Sequence, residues 1–184
     1  MSWNTGVNYF ADLAKSADLR EVIGLYHAAH LSLTRDLLTL NRAARISANP
    51  SAVAYLAKYI AFNGDISVPV LTMHTTGDGL VVPENEQAYR SVVDRAGNGR
   101  LLRQIFVARA GHCTFTPAET ITALNVLLNR LDTGHWNVPD PATLNADAGA
   151  LLALNVAPPA FTSFRPTQYL RPFDLLGEGG NRFG

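Results

Sequence analysis

Between about Tyr9 and Ile46, Leu13, Leu19, Val22, Ile23, Leu25, Tyr26, Leu33, Leu37, Leu38 and Leu40 recur three and four positions apart, with charges between them. That spacing predicts helix, with Gly24 as a weak point and a break near Ser16 or Ser32. A further helix is predicted from Pro50 to Ile60, where Asn49 suits the N-cap, Pro50 the first helical position and Asn63-Gly64 the stop. The period then changes. Ile66 to His74, ISVPVLTMH, is a short apolar run with β-branched residues and predicts a buried strand, followed by a TTGDG turn. Pro83 opens a helix through Glu86, Tyr89, Val92 and Val93 that Gly97 ends, and Leu101 to Val107, LLRQIFV, predicts a second strand. Thr116-Pro117-Ala118-Glu119 has the spacing of a capping box with proline at the first helical position. The helix it starts carries Ile121, Leu124, Leu127, Leu128 and Leu131 and is closed by Gly134.

Strand, turn and helix, twice over, is the alternation of a parallel α/β sheet. After Trp136 the pattern dissolves. Pro139, Pro141, Pro158, Pro159, Pro166 and Pro172 punctuate a stretch rich in Ala, Leu and aromatics. It reads as a mostly extended tail that packs on the domain surface and ends in a flexible EGGNRFG. Phe161, Phe164, Tyr169 and Phe173 would cover apolar surface there.

Composition narrows the class of function. The chain has 184 residues, enough for one domain or a little more, with 47% hydrophobic and 16% charged residues. Lys plus Arg and Asp plus Glu balance at 15 each, and the basic residues are scattered, so neither nucleic acid nor an anionic membrane is indicated as a partner. Cys113 is the single cysteine, which excludes an internal disulfide and a thiolate metal cage. MSWNTGVNYF lacks the parts of a signal peptide and no apolar run reaches membrane-spanning length, so the chain is expected to be soluble with no membrane span. Its compartment is unknown, and secretion stays open if an upstream part is missing.

Asp78 and His112 each follow a predicted strand. In open α/β sheets ligands bind outside the carboxyl ends of the strands, so both side chains belong to one crevice. Their separation leaves room for a turn, a helix and a return strand, which makes the two strands neighbours. A carboxylate and an imidazole at that edge are the acid and base of a nucleophilic triad: the acid fixes the tautomer and stabilises the imidazolium. With their surroundings, VPVLTMHTTGDGLVVP and LLRQIFVARAGHCTF, they resemble the last two strands of the α/β-hydrolase fold. There the acid follows the penultimate strand and the histidine the last, in the chain order Ser, Asp or Glu, His. The resemblance implies that Asp78 is the triad acid and His112 its base, and that residues before Val68 form a cap or lid. It covers roughly Val68 to Leu131.

The nucleophile is missing from that pattern. No Gly-x-Ser, Gly-x-Cys or Gly-x-Asp elbow precedes Asp78, and no Gly-rich loop supplies an oxyanion-hole amide. Ser16, Ser32, Ser47 and Ser51 lie in or beside helical patterns without the small neighbours an elbow needs. Cys113 adjoins His112 in sequence and is not expected to face it.

Other chemistry-bearing residues have simpler readings. Gly-Asp-Gly alone is ordinary turn chemistry, and His112 alone could be a core histidine. His27 and His30 lie three apart on a helix, but no third ligand accompanies them, so no metal is implied and a helix-face or cap role is preferred. His74 is expected to support the acid turn, His135-Trp136 to pack a helix end, and Glu84 and Glu86 to be solvated first-turn residues favoured by the helix dipole.

The fold class expected is α/β, a partial α/β-hydrolase fold. Residues 1–65 form a helical cap-like segment, 66–136 the last strands of a mostly parallel sheet with flanking helices, and 137–184 an extended Pro-rich tail on the core. The function expected is the C-terminal portion of a serine hydrolase acting on a small-molecule ester, thioester or amide, with no cofactor. The alternative is a non-catalytic interaction or structural remnant of such an enzyme. Two strands do not make an independent sheet. A partner is therefore expected, either a companion polypeptide with the missing strands and serine or a second copy, unless the sequence is a shortened product with an exposed sheet edge. Alone, the chain is expected to be inactive.

Overall fold

The structure, a computed structural model, describes residues 4–170, so Pro172, Phe173 and the EGGNRFG end lie outside the described residues. The described chain divides into two compact units, one of residues 4–61 with Leu170 and one of Phe62–Tyr169.

The first unit holds α1 (Tyr9–Lys15), α2 (Leu19–Ala28), α3 (Leu33–Arg42) and α4 (Pro50–Tyr59). The helical stretch expected as one or two pieces is three, because both suspected breaks occur. Ser16 ends α1 in an extended conformation, and Ser32 starts α3 by accepting a hydrogen bond from the Arg35 amide. Asn49 caps α4 through the Ser51 and Ala52 amides, with Pro50 at its first position as the sequence predicts. None of the four helices contains a fully buried residue.

The second unit is a mixed α/β assembly. β1 (Val70–Gly77) leads through α5 (Glu84–Arg95) to β2 (Leu102–Ala110), then α6 (Pro117–Thr133), α7 (Pro141–Ala150) and β3 (Phe161–Thr162). The sheet order is β1-β2-β3. β1 and β2 are parallel neighbours, from Val70 opposite Leu102 to Thr75 opposite Val107, with an irregularity before Gly77 meets Ala110. Odd-numbered Ile105 and Val107 join Ala118, Ala123 and Val126 of α6, Leu144 and Ala148 of α7 and Phe161 of β3 in the core, with Leu71 and Met73 against them. Even-numbered Thr72 and Gln104 turn to the opposite face and donate to Glu86 of α5. Helices therefore cover both faces, which is why β1 reads as an apolar run rather than an alternation.

Four expectations need correction. β1 begins at Val70 rather than Ile66, because Pro69 has no N–H for a ladder, and it runs on through the predicted turn to Gly77. The tail is not extended throughout: Asp140 caps α7 through the Ala142 and Thr143 amides, Pro141 takes the first helical position, and the spacing of Leu144 and Ala148 buries both. The tail also returns β3 antiparallel to β2, so the sheet has a third strand and is mixed. Glu86 is not a solvated residue; it is half-buried between α5 and the sheet.

Candidate functional site

The turns after β1 and β2 are tied to each other by two hydrogen bonds. The Gly111 amide donates to the Gly77 carbonyl at 3.0 Å, and the buried Thr75 hydroxyl donates to the Gly111 carbonyl at 2.7 Å. Gly111 sits at φ +95°, and a side chain at Gly77 would come within 3.1 Å of Ala110 Cα. Gly77 is thus favoured by the close approach of the two strand ends, and Gly111 by its left-handed backbone angle. Behind the second turn, Thr116 and Glu119 form the predicted capping box at the start of α6.

Asp78 follows the last residue of β1 and is 4% exposed. Its Oδ1 accepts hydrogen bonds from the Leu80 and Val81 amides, both at 2.9 Å, and its Oδ2 lies 2.7 Å from His112 Nδ1. Burial opposes the charged carboxylate, but the Val81 amide, the His112 contact and the Leu80 amide outweigh it and hold Asp78 down at about 2. An ionised carboxylate accepts, so Nδ1 carries the proton, and in the neutral ring Nε2 presents the lone pair. The imidazole is 44% exposed.

The structure thus brings together the two residues singled out from the sequence. Cys113 departs from expectation. Its Sγ lies 3.5 Å from His112 Nε2 although the residues are adjacent. A left-handed backbone at Cys113, φ 53°, folds the thiol back beside the ring, a conformation that sequence neighbours do not reveal. The serines are engaged locally: Ser16 and Ser32 at helix ends, Ser47 with Thr5, and Ser51 with Asn49. His74 Nδ1 lies 2.9 Å from the Thr75 carbonyl in the strand that ends at the acid, and Trp136 packs against the core beyond α6. His27 and His30 do not share a helix, because α2 ends at Ala28 and His30 lies beyond it with a positive φ; among the described residues no cluster of His, Cys, Asp or Glu is arranged to hold a metal ion. Among them, too, no helix is long and apolar enough to cross a membrane.

Two contributors were not singled out in the sequence as parts of the site. Thr75 gave no signal beyond the first residue of the TTGDG turn, whereas the structure places it inside β1. Glu119 was visible as a capping residue only, yet its Oε1 accepts from Arg109 and from the Ala160 amide, each at 2.8 Å. Arg109 and Glu119 flank the histidine turn with opposite charge, which is the one hint the sequence offered. A cavity of about 450 Å³ opens elsewhere, between mid-β2, the start of α7 and residues 161–165, and neither Asp78 nor His112 lines it.

No family model matches the sequence, and no solved structure matches it. The chain is 37% identical over 155 residues to o-phthalyl amidase of Xanthobacter agilis, an alignment that covers 82% of this chain and 34% of that relative. It therefore spans about a third of the length of the curated relative it matches, and its likeness is to a hydrolase by name, an amidase.

Proposed function

We propose that this chain is the C-terminal portion of a serine hydrolase of the α/β-hydrolase fold that cleaves amide bonds, with Asp78 and His112 as the acid and base of its triad. One observation carries the reading: the 2.7 Å contact between His112 Nδ1 and a buried, amide-held Asp78 at the carboxyl ends of two parallel strands. Likeness to an amidase favours amides over esters and thioesters, and an o-phthalyl amide is the first substrate to try. The serine comes from a companion polypeptide with the missing strands, which extends the sheet beyond β1. Residues 1–65 act as the cap over the acyl pocket, and the lack of any buried residue in α1–α4 agrees with a segment that needs cover.

In the reaction, Nε2 takes the serine proton as the oxygen attacks the amide carbonyl. It later returns that proton to the leaving amine, while Asp78 holds the ring and stabilises the imidazolium. No metal or organic cofactor is needed for these steps.

The test is hydrolysis of an o-phthalyl amide by the chain joined to its companion. His112→Ala should lower turnover by about a thousandfold or more, and Asp78→Asn by a similar order. Near-normal turnover in either variant would remove that residue from the mechanism. The chain alone should take no covalent adduct from a fluorophosphonate probe, and a robust adduct would contradict the missing serine.

A further inference from the structure

We propose that Cys113 is a covalent modification site, a thiol that the Asp78–His112 pair activates toward small-molecule disulfides. The thiol is exposed and lies 3.5 Å from Nε2, the nitrogen left with a lone pair because Nδ1 donates to Asp78. A nucleophile in reach of a base that a third group orients is the geometry of nucleophilic activation, and among the described residues Cys113 is the nucleophile that meets it. The constellation has three members, each with a role: the buried carboxylate fixes the ring, the ring accepts a proton, and the sulfur receives the activation.

The step is a thiol–disulfide exchange. Nε2 takes the S–H proton, and the thiolate sulfur attacks one sulfur of the disulfide. A new S–S bond forms as the old one breaks, and its electron pair leaves on the second sulfur, which recovers the proton from the imidazolium. Because Cys113 is the single cysteine of the sequence, no second thiol of this chain resolves the product, and the mixed disulfide persists until an external thiol reduces it. The consequence for hydrolysis rests on the function proposed above: the adduct fills the space before Nε2 and keeps a serine from delivering its proton there.

Dithiodipyridine tests this on the full chain, since each exchange releases an absorbing thiopyridone and leaves one adduct readable by mass. The native chain should react about tenfold faster than the same chain unfolded in urea, where the thiol is exposed but has no base beside it. His112→Ala should bring the native rate down to the unfolded one, and Asp78→Asn should lower it in part. A native rate no higher than the unfolded rate overturns the proposal, whatever the variants do. So does a folded His112→Ala chain that reacts at the native rate. Either result leaves the hydrolase reading intact, because that reading needs Nε2 and not the thiol. Failure of the complete enzyme to hydrolyse amides leaves the exchange rates unaffected.

Discussion

Glu119 is fully buried, and its two oxygens gather Arg109, the Ala160 amide and the Thr116 amide. Burial raises the energy of its charge, but the Arg109 guanidinium first, then the Thr116 and Ala160 amides, hold the carboxyl below its usual range. It therefore stays charged and joins the end of β2, the start of α6 and the returning tail. Glu119→Ala takes the carboxylate from a guanidinium that is only 19% exposed and leaves it the Pro158 carbonyl as acceptor, so it should cost about 3 kcal/mol in a urea titration. Glu119→Gln, which keeps an acceptor for the amides, should cost clearly less, and equal losses would mean that the ion pair contributes little. The capping role was legible because its spacing is local. The ion pair and the Ala160 bond span 10 and 41 residues and exist only once the chain has folded. Cys113 escaped for the opposite reason: the residues are adjacent, and one left-handed backbone angle decides whether they face each other.

Helix starts were the most legible elements. Asn49-Pro50 and Thr116-Pro117 each pair a capping side chain with a proline whose missing N–H costs nothing there, and both open helices as read. Asp140-Pro141 carries the same signal, yet the prolines around it read as punctuation of an extended tail. β3 is two residues long and has no periodicity to read; it forms because Phe161 fills the core beside Val107. The helix α7 is core structure rather than surface trim, and a pair of substitutions separates the two views. Leu144, 3% exposed, should cost about 3 kcal/mol as Leu144→Ala, since a cavity opens between α7 and the sheet. Leu152, 82% exposed just beyond the same helix, should stay within about 0.5 kcal/mol as Leu152→Ala. Comparable midpoints for the two variants in thermal melts would return this segment to the surface.

For the molecule as a whole, the buried apolar side chains among the described residues all fall between Pro83 and Phe161, so cooperative stability belongs to the second unit. Its ionised groups set how that stability varies with pH. Asp78 at about 2 and Glu119 below its ordinary 4.5 both favour the charged form in the folded state. Each contributes stability that is complete above the unfolded value, 3.8 for Asp and 4.5 for Glu, and that is lost as pH falls through the folded value. Tyr89 sets the other limb: burial and then Glu86 raise it above 10.0, so its contribution is complete below that value and is lost at higher pH. Acid also removes the charge balance, leaving fifteen Lys and Arg and five His without carboxylates to offset them. The urea midpoint should therefore hold level from about pH 6 to 9 and fall steadily from about 4.5 toward 2. Asp78→Asn has no proton to take up at that position. Its midpoint should start lower at neutral pH, because the amide cannot match a carboxylate as acceptor, and should then fall less on acidification. The decisive comparison is the loss between pH 5 and pH 2.5 in the two chains, and an equally steep fall in both would mean that the buried carboxylate does not govern acid stability.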